Sequence, residues 1–379
     1  MSFQSLPYDI IICPKKYKRS NQEGAMSYTD ATIQENQPSR RRMIWFVALF
    51  IVVAAAGLLY VKWWPYFNKT ILAAQTHSIG ASILGDLSNE KPSLQSALDY
   101  ALVYFNSVWK AAILGILLGS LLQVLLPTQW LLKVLGKTSF GSTAIAGLAA
   151  VPGMMCTCCA APMAVGLRKK NVSVGAALAF WIGNPMINPA TLIFMTFVLS
   201  WKFTLIRLVF GLLLTFGVSY LANRFVKDVQ PVNLDRMIEE VKQEEGSFIN
   251  RWLKSIGNML LYIVPAYVLS VLLLGAGRVW LFPQLSDTAA NSLIAILIFA
   301  IAGMLFVIPT AAEIPIIQTF MALGLGGGPA AALLVTLPAI SLPSLLMVAK
   351  SFPKKVLFFV SVSVVALGIV SGLLGMYLL

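Results

Sequence analysis

Apolar runs long enough to cross a bilayer recur along almost the whole of this 379-residue chain. The first covers residues 43–61; others lie near 100–126, 143–167, 174–200, 203–221, 255–276, 292–323, 330–349 and 356–378. A helix needs about 20 apolar residues to span the hydrocarbon core. At that depth no water is available, so every backbone polar group must be satisfied within the protein. Composition agrees with the pattern. Hydrophobic residues make up 58% of the chain, charged residues 11%, and mean hydropathy is +0.80. A soluble domain carries about 25% charged residues. The expected fold class is therefore all-α integral membrane, and soluble enzyme folds are excluded.

Residues 1–42 are polar and end in Arg40-Arg41-Arg42, which reads as a disordered cytoplasmic tail. Met26 offers a second possible start within it. Residues 43–61 read as an N-terminal transmembrane anchor. The run exceeds the roughly 7–15 residues of a signal-peptide apolar region. It is followed by Lys62-Trp63-Trp64-Pro65-Tyr66, the composition of an interfacial belt. Residues 62–98, with Gly80, Gly85 and Pro92, read as an extracytoplasmic loop in which His77 is a solvated side chain. Residues 222–254 are the long polar connection, read as a cytoplasmic loop. Within it Leu234, Met237, Ile238 and Val241 follow the spacing of a short amphipathic helix.

The stretches on either side of that connection, 99–221 and 255–379, read as two permease repeats, in which the segments around 143–221 and 296–374 match at an offset of 153 residues. Pro162 falls on Pro315, Gly175 on Gly328, Ala177 on Ala330 and Pro185 on Pro338, while Pro189 falls one residue from Pro343. Charge distribution then decides how the two repeats relate. The chain has 28 Lys+Arg and 15 Asp+Glu, a net charge of +13. The basic residues sit between apolar runs, as in cytoplasmic loops, and form no nucleic-acid patch. If 143–167 and 292–323 are hairpins that return to their own side, the Lys+Arg divide 21 inside to 7 outside; if each crosses once, they divide 15 to 13. The positive-inside rule favours hairpins. The expectation is thus about seven full spans plus two re-entrant or broken helical hairpins, forming an inverted repeat, an architecture common among secondary transporters.

Three constellations carry chemistry. In Val151-Pro152-Gly153-Met154-Met155-Cys156-Thr157-Cys158-Cys159-Ala160-Ala161-Pro162, the prolines Pro152 and Pro162 break a helix around three thiols. Irregular backbone at membrane depth survives only when buried in protein or lining a cavity. Cys156, Cys158 and Cys159 either pack as small buried side chains or offer soft donors to a thiophilic substrate. Cys13 lies apart in the tail, so the four cysteines form no disulfide framework. A fourth ligand for tetrahedral zinc is missing, so no metal site is expected. The single histidine, His77, excludes His-rich metal sites and a Ser-His-Asp site within the membrane.

The second constellation is Ile308-Pro309-Thr310-Ala311-Ala312-Glu313-Ile314-Pro315, at the equivalent place in the second repeat. Glu313 is the one acidic residue in the apolar core, and an ionisable group there is a functional candidate, here for proton coupling. Its structural alternative is to accept backbone N–H groups freed at Pro309 and Pro315. The third is Gly183-Asn184-Pro185-Met186-Ile187-Asn188-Pro189, two Asn-Pro pairs that interrupt a helix. Asn184 and Asn188 can satisfy broken backbone or contact substrate. The counterpart around Pro338 and Pro343 carries Ser341 and Ser344.

These stretches resemble a family of predicted permeases that includes bacterial organoarsenical efflux permeases. The resemblance rests on Cys156 through Pro162, on Val174-Gly175-Ala176-Ala177-Leu178-Ala179-Phe180 leading to Asn184-Pro185 and Asn188-Pro189, and on Glu313-Ile314-Pro315 with Gly328-Pro329-Ala330-Ala331-Ala332-Leu333. It covers roughly residues 100–379. It implies that a trivalent organoarsenical binds at the cysteine segment. The departure is that soft ligands occur only in the first repeat, with Glu313 opposite them in the second.

The expected function is a secondary permease of the bacterial cytoplasmic membrane, not an enzyme. Its N-terminus is inside, and it moves a small, soft solute between the two broken hairpins. No nucleotide-binding Gly-x-x-x-x-Gly-Lys motif occurs, and no cofactor is expected. The partners are the lipid bilayer and a small-molecule substrate, with no nucleic acid. A membrane thiol-redox carrier and a channel are the competing classes.

Overall fold

The computed structural model describes residues 40–85, 93–226, 247–282 and 291–379. The chain divides into two compact units, Met1–Trp45 and Phe46–Leu379, and of the first only the start of one helix is described. The tail expected over 1–42 up to residue 39, and the amphipathic helix expected around Leu234 to Val241, lie outside the described residues.

Among the described residues all regular structure is helical. Seven helices are long and apolar enough to cross a membrane. α1 (Ile44–Thr76) and α2 (Leu94–Leu125) come first. A bent pair follows, α3 (Thr128–Leu135) and α4 (Phe140–Ala150), turned by 112°. After a 3-10 turn at Val151–Gly153 comes α5 (Thr157–Lys169). The next span is broken into α6 (Val174–Met186) and α7 (Pro189–Val198), and α8 (Trp201–Phe225) closes the first half. The second half repeats the order: the long α9 (Phe248–Leu281), the short α10 (Leu293–Leu305) and α11 (Glu313–Ala322), a broken span α12 (Gly327–Ala339) and α13 (Leu342–Val348), and α14 (Lys354–Leu378).

α1 does not end at Val61, where the apolar run stops. A π-helical turn, Leu59–Trp63, passes straight into Trp64–Thr76. Pro65 is tolerated because it follows the π turn at the start of that second stretch, and the helix ends only at His77, in the left-handed conformation at φ 51°. Lys62 is buried by its surroundings instead of marking an interface. Three of the seven basic residues assigned to outer loops, Lys62, Arg207 and Arg278, are in fact buried on helices.

Two ties show where each short helical pair begins and ends. The Ser173 N–H donates to the Leu135 carbonyl at 3.0 Å, joining the chain just after α5 to the chain just before α4. In the second half the Gly328 N–H donates to Asn291 Oδ1 at 3.1 Å, joining the start of α12 to the start of α10. α5 packs along α2 and α6, whereas α4 packs along α6; likewise α10 and α11 each pack on α12. The closest approach is made by small residues. Gly115 and Gly119, one turn apart on α2, face the Cys159 carbonyl and the Pro162 backbone, and a Cβ on Gly119 would come within 2.7 Å of the latter. Small residues at this spacing let helices meet backbone to backbone where lipid gives no hydrophobic drive.

Candidate functional site

Each break in a span leaves N–H and C=O groups that must find partners without water. Asn188 caps α7: its Oδ1 accepts from the N–H groups of Ala190 and Thr191 at 3.0 and 3.3 Å. Ser341, 153 residues on, caps α13 in a capping box with Ser344, whose Oγ accepts from the Ser341 N–H at 3.0 Å. Proline follows at the first turn in both halves, Pro189 and Pro343, where its missing N–H costs nothing. Asn188 and Ser341 thus satisfy backbone. Asn184 sits differently. Its amide donates to the Phe180 carbonyl at 2.9 Å, while its buried Oδ1 has no hydrogen-bond partner and faces Gly153 at the α4–α5 break.

The freed carbonyls converge on one cation. Pro338 has no N–H for the Leu334 carbonyl one turn back, and Pro189 has none for the Pro185 carbonyl. Arg207, fully buried on α8, donates to both, and its Nε donates to the Met186 carbonyl at 3.1 Å. A guanidinium over the last carbonyls of α6 also meets the negative end of that helix. The same side chain reaches Glu313, Nη2 to Oε1 at 3.3 Å, in the single ion pair among the described residues. Glu313 Oε2 is buried with no hydrogen-bond partner. Sequence reasoning missed Arg207 by treating it as a loop charge. Its position inside the apolar run 203–221 is the signal that finds it.

The three thiols do not form one cluster. Cys156 is the N-cap of α5 in an extended conformation, and its Sγ lies 2.9 Å from that of Cys159. Cys158 turns away, its Sγ 3.6 Å from the Ser341 Oγ. It floors an apolar groove of about 290 Å³ between α2 and α9, together with Pro162, Tyr267 and Met347. Cys156 instead lines a narrow cleft with Pro185, Thr191, Pro309, Glu313 and Pro338, with room for about one water molecule at about 10 Å³. Cys159 lines a second and larger cavity of about 330 Å³, with Lys62, Tyr66, Thr310 and Pro315 on its wall.

Both breaks hold a non-glycine residue in the left-handed region, Met154 at φ 49° and Ala311 at φ 70°. Backbone conformations of this kind persist only when the surroundings enforce them. α1 reaches both. The Trp63 indole donates to the Pro152 carbonyl at 2.7 Å, and its neighbour Lys62 donates to Thr310 Oγ1 at 3.1 Å and to the Tyr66 hydroxyl at 3.0 Å. Lys62 was the second residue missed, because the apolar run stops one residue before it. His77 is exposed, and its Nδ1 lies 2.7 Å from the Phe197 carbonyl.

Comparison with known proteins places the chain in a family. The model of a predicted permease family (ArsP_1) matches residues 146–377, from α4 to α14. The chain is 51% identical over 332 residues to the UPF0718 protein YraQ of Escherichia coli (strain K12), covering 86% of this chain and 94% of that one. It is 22% identical over 273 residues to the UPF0718 protein MJ0584 of Methanocaldococcus jannaschii, covering 55% of this chain and 75% of that one. No solved structure matches. A multi-pass helical chain with paired broken spans, matched from the first break to the last helix, belongs to the predicted permease family.

Proposed function

We propose that the chain is a secondary permease of the bacterial cytoplasmic membrane that moves a small soft solute, such as a trivalent organoarsenical, through a site between two re-entrant hairpins. The hairpins are α4–α5 and α10–α11. The ties from Ser173 to Leu135 and from Asn291 to Gly328 support this, since each pair leaves and rejoins the chain at one place. With seven spans around them, the halves enter the bilayer from opposite sides and form an inverted repeat, with the N-terminus cytoplasmic. The loop charges support that orientation.

One observation carries the reading. Cys156 from the first break, Glu313 from the second, and Pro185 and Pro338 from the two broken spans face one narrow cleft. A site built from both halves at their discontinuous helices is where alternating access needs it. Cys156 and Cys159 are the soft donors, and Glu313, with one free oxygen, is the proton-coupling group. In a strain lacking the permease, sensitivity to a trivalent organoarsenical should be relieved by the wild type and by Cys158→Ala, but not by Cys156→Ala or Cys159→Ala. Unchanged relief by the triple alanine variant would sink direct thiol contact.

The distance of 2.9 Å between Cys156 and Cys159 also favours a second reading, a thiol-redox carrier. The two cysteines flank two residues at a helix start, a spacing used by redox pairs. That reading requires a disulfide between them that exchanges with thioredoxin. A protein that stays fully reduced under oxidant rejects it.

A further inference from the structure

The larger cavity has a charge the permease reading does not use. Lys62 is 5% exposed, and its ammonium has only neutral hydrogen-bond partners, the Tyr66 hydroxyl and Thr310 Oγ1, with the Tyr66 ring 5.0 Å away. The one ion pair among the described residues is elsewhere, at Arg207 and Glu313. Lys69, two turns along α1, lines the same cavity, and among the described residues no carboxylate does. A buried ammonium without a counter-charge is costly unless an anion joins it. Lys62 also lies in a π-helical turn, a local irregularity frequent at functional sites. The volume, about 330 Å³, is at the small end of ligand pockets. Cys159 supplies a thiol on the same wall.

We propose that this cavity binds a small anion with a soft, thiophilic centre, Lys62 and Lys69 balancing its charge and Cys159 touching the soft atom. The inference rests on the permease reading and adds soft anions to the class of solutes it admits. It also gives a role to α1, which precedes the part of the chain that the family model matches.

The test is thermal unfolding of the purified full chain with three probes. They are thiosulfate, a small anion with a soft sulfur; sulfate, of the same charge and shape without one; and phenylarsine oxide, an uncharged trivalent arsenical. Thiosulfate is expected to raise the midpoint saturably, and sulfate to do so less. Lys62→Met should weaken the apparent thiosulfate affinity about tenfold or more, as loss of a charged hydrogen-bond partner does. Lys69→Gln should weaken it less, and Lys62→Arg should retain most of it. An unshifted wild type, an equal shift in K62M, or an equal shift by sulfate overturns the proposal. Should K62M not fold, protection of Cys159 from alkylation by thiosulfate in the wild type decides, and absence of protection overturns it. Stabilisation by phenylarsine oxide alone overturns the anionic class while leaving the permease reading intact. Failure of the resistance phenotype with thiosulfate binding retained does the reverse.

Discussion

The two broken spans, α6–α7 and α12–α13, meet the same backbone demand with different side chains. In the first, the amide oxygen of Asn188 takes two N–H groups; in the second, Ser341 and Ser344 cap one another's turn. The breaks between α4 and α5 and between α10 and α11 differ more. Cys156 and Cys159 open α5, while Glu313 opens α11. The backbone at each break has to be satisfied in a fixed geometry, so caps and prolines recur at the 153-residue offset. Side chains that face the clefts are free of that demand, and there the halves diverge. Equivalent positions in this molecule hold the fold, and the non-equivalent ones are those to which the proposed function assigns the chemistry.

The largest effect should come from the link between the halves. Arg207→Met strands Glu313 in the interior and leaves three carbonyls unpaired, so a loss of about 3–5 kcal/mol is expected. A double Arg207→Met, Glu313→Met variant should recover part of it, and a double-mutant cycle on unfolding midpoints measures the coupling. Simple additivity would mean that the ion pair does not join the halves. Next come the caps. Asn188→Ala and Ser341→Ala should each cost about 1 kcal/mol. A several-fold difference between them, read from the same melts, would break the proposed equivalence of the two spans. The smallest effect belongs to Cys158→Ala, about 1 kcal/mol or less, because it trims one atom from the floor of an apolar groove. A large loss there would mean that its contact with Ser341 matters more than packing.

The seven long apolar helices were legible as apolar runs, and Pro152, Pro189, Pro309 and Pro343 do sit at the breaks or just after them. Pro162, Pro185 and Pro338, also expected to break helices, lie inside α5, α6 and α12, and Pro315 lies in the first turn of α11, because a proline near a helix end leaves few backbone bonds to lose. Other features were not legible. Val61 ends an apolar run but not a helix, since a buried lysine extends the span once Tyr66 and Thr310 solvate it. Arg207 counts as a loop charge until the carbonyls released by Pro189 and Pro338 are brought to it. Three cysteines within four positions look like one ligand set, but successive residues of a helix point about 100° apart. Cys158 therefore faces the α2–α9 groove, away from the Cys156–Cys159 pair.

By itself, the sequence determined the membrane class, the number of long apolar helices and several of the places where helices stop. Those depend on hydropathy and on proline's missing N–H, which are local. Only the tertiary structure decided which carbonyl meets Arg207, which cysteine faces which cavity, and that Lys62 lies between the two breaks. Those depend on how the halves pack, because in a water-free interior every unpaired polar group must be matched by a neighbour distant in the chain.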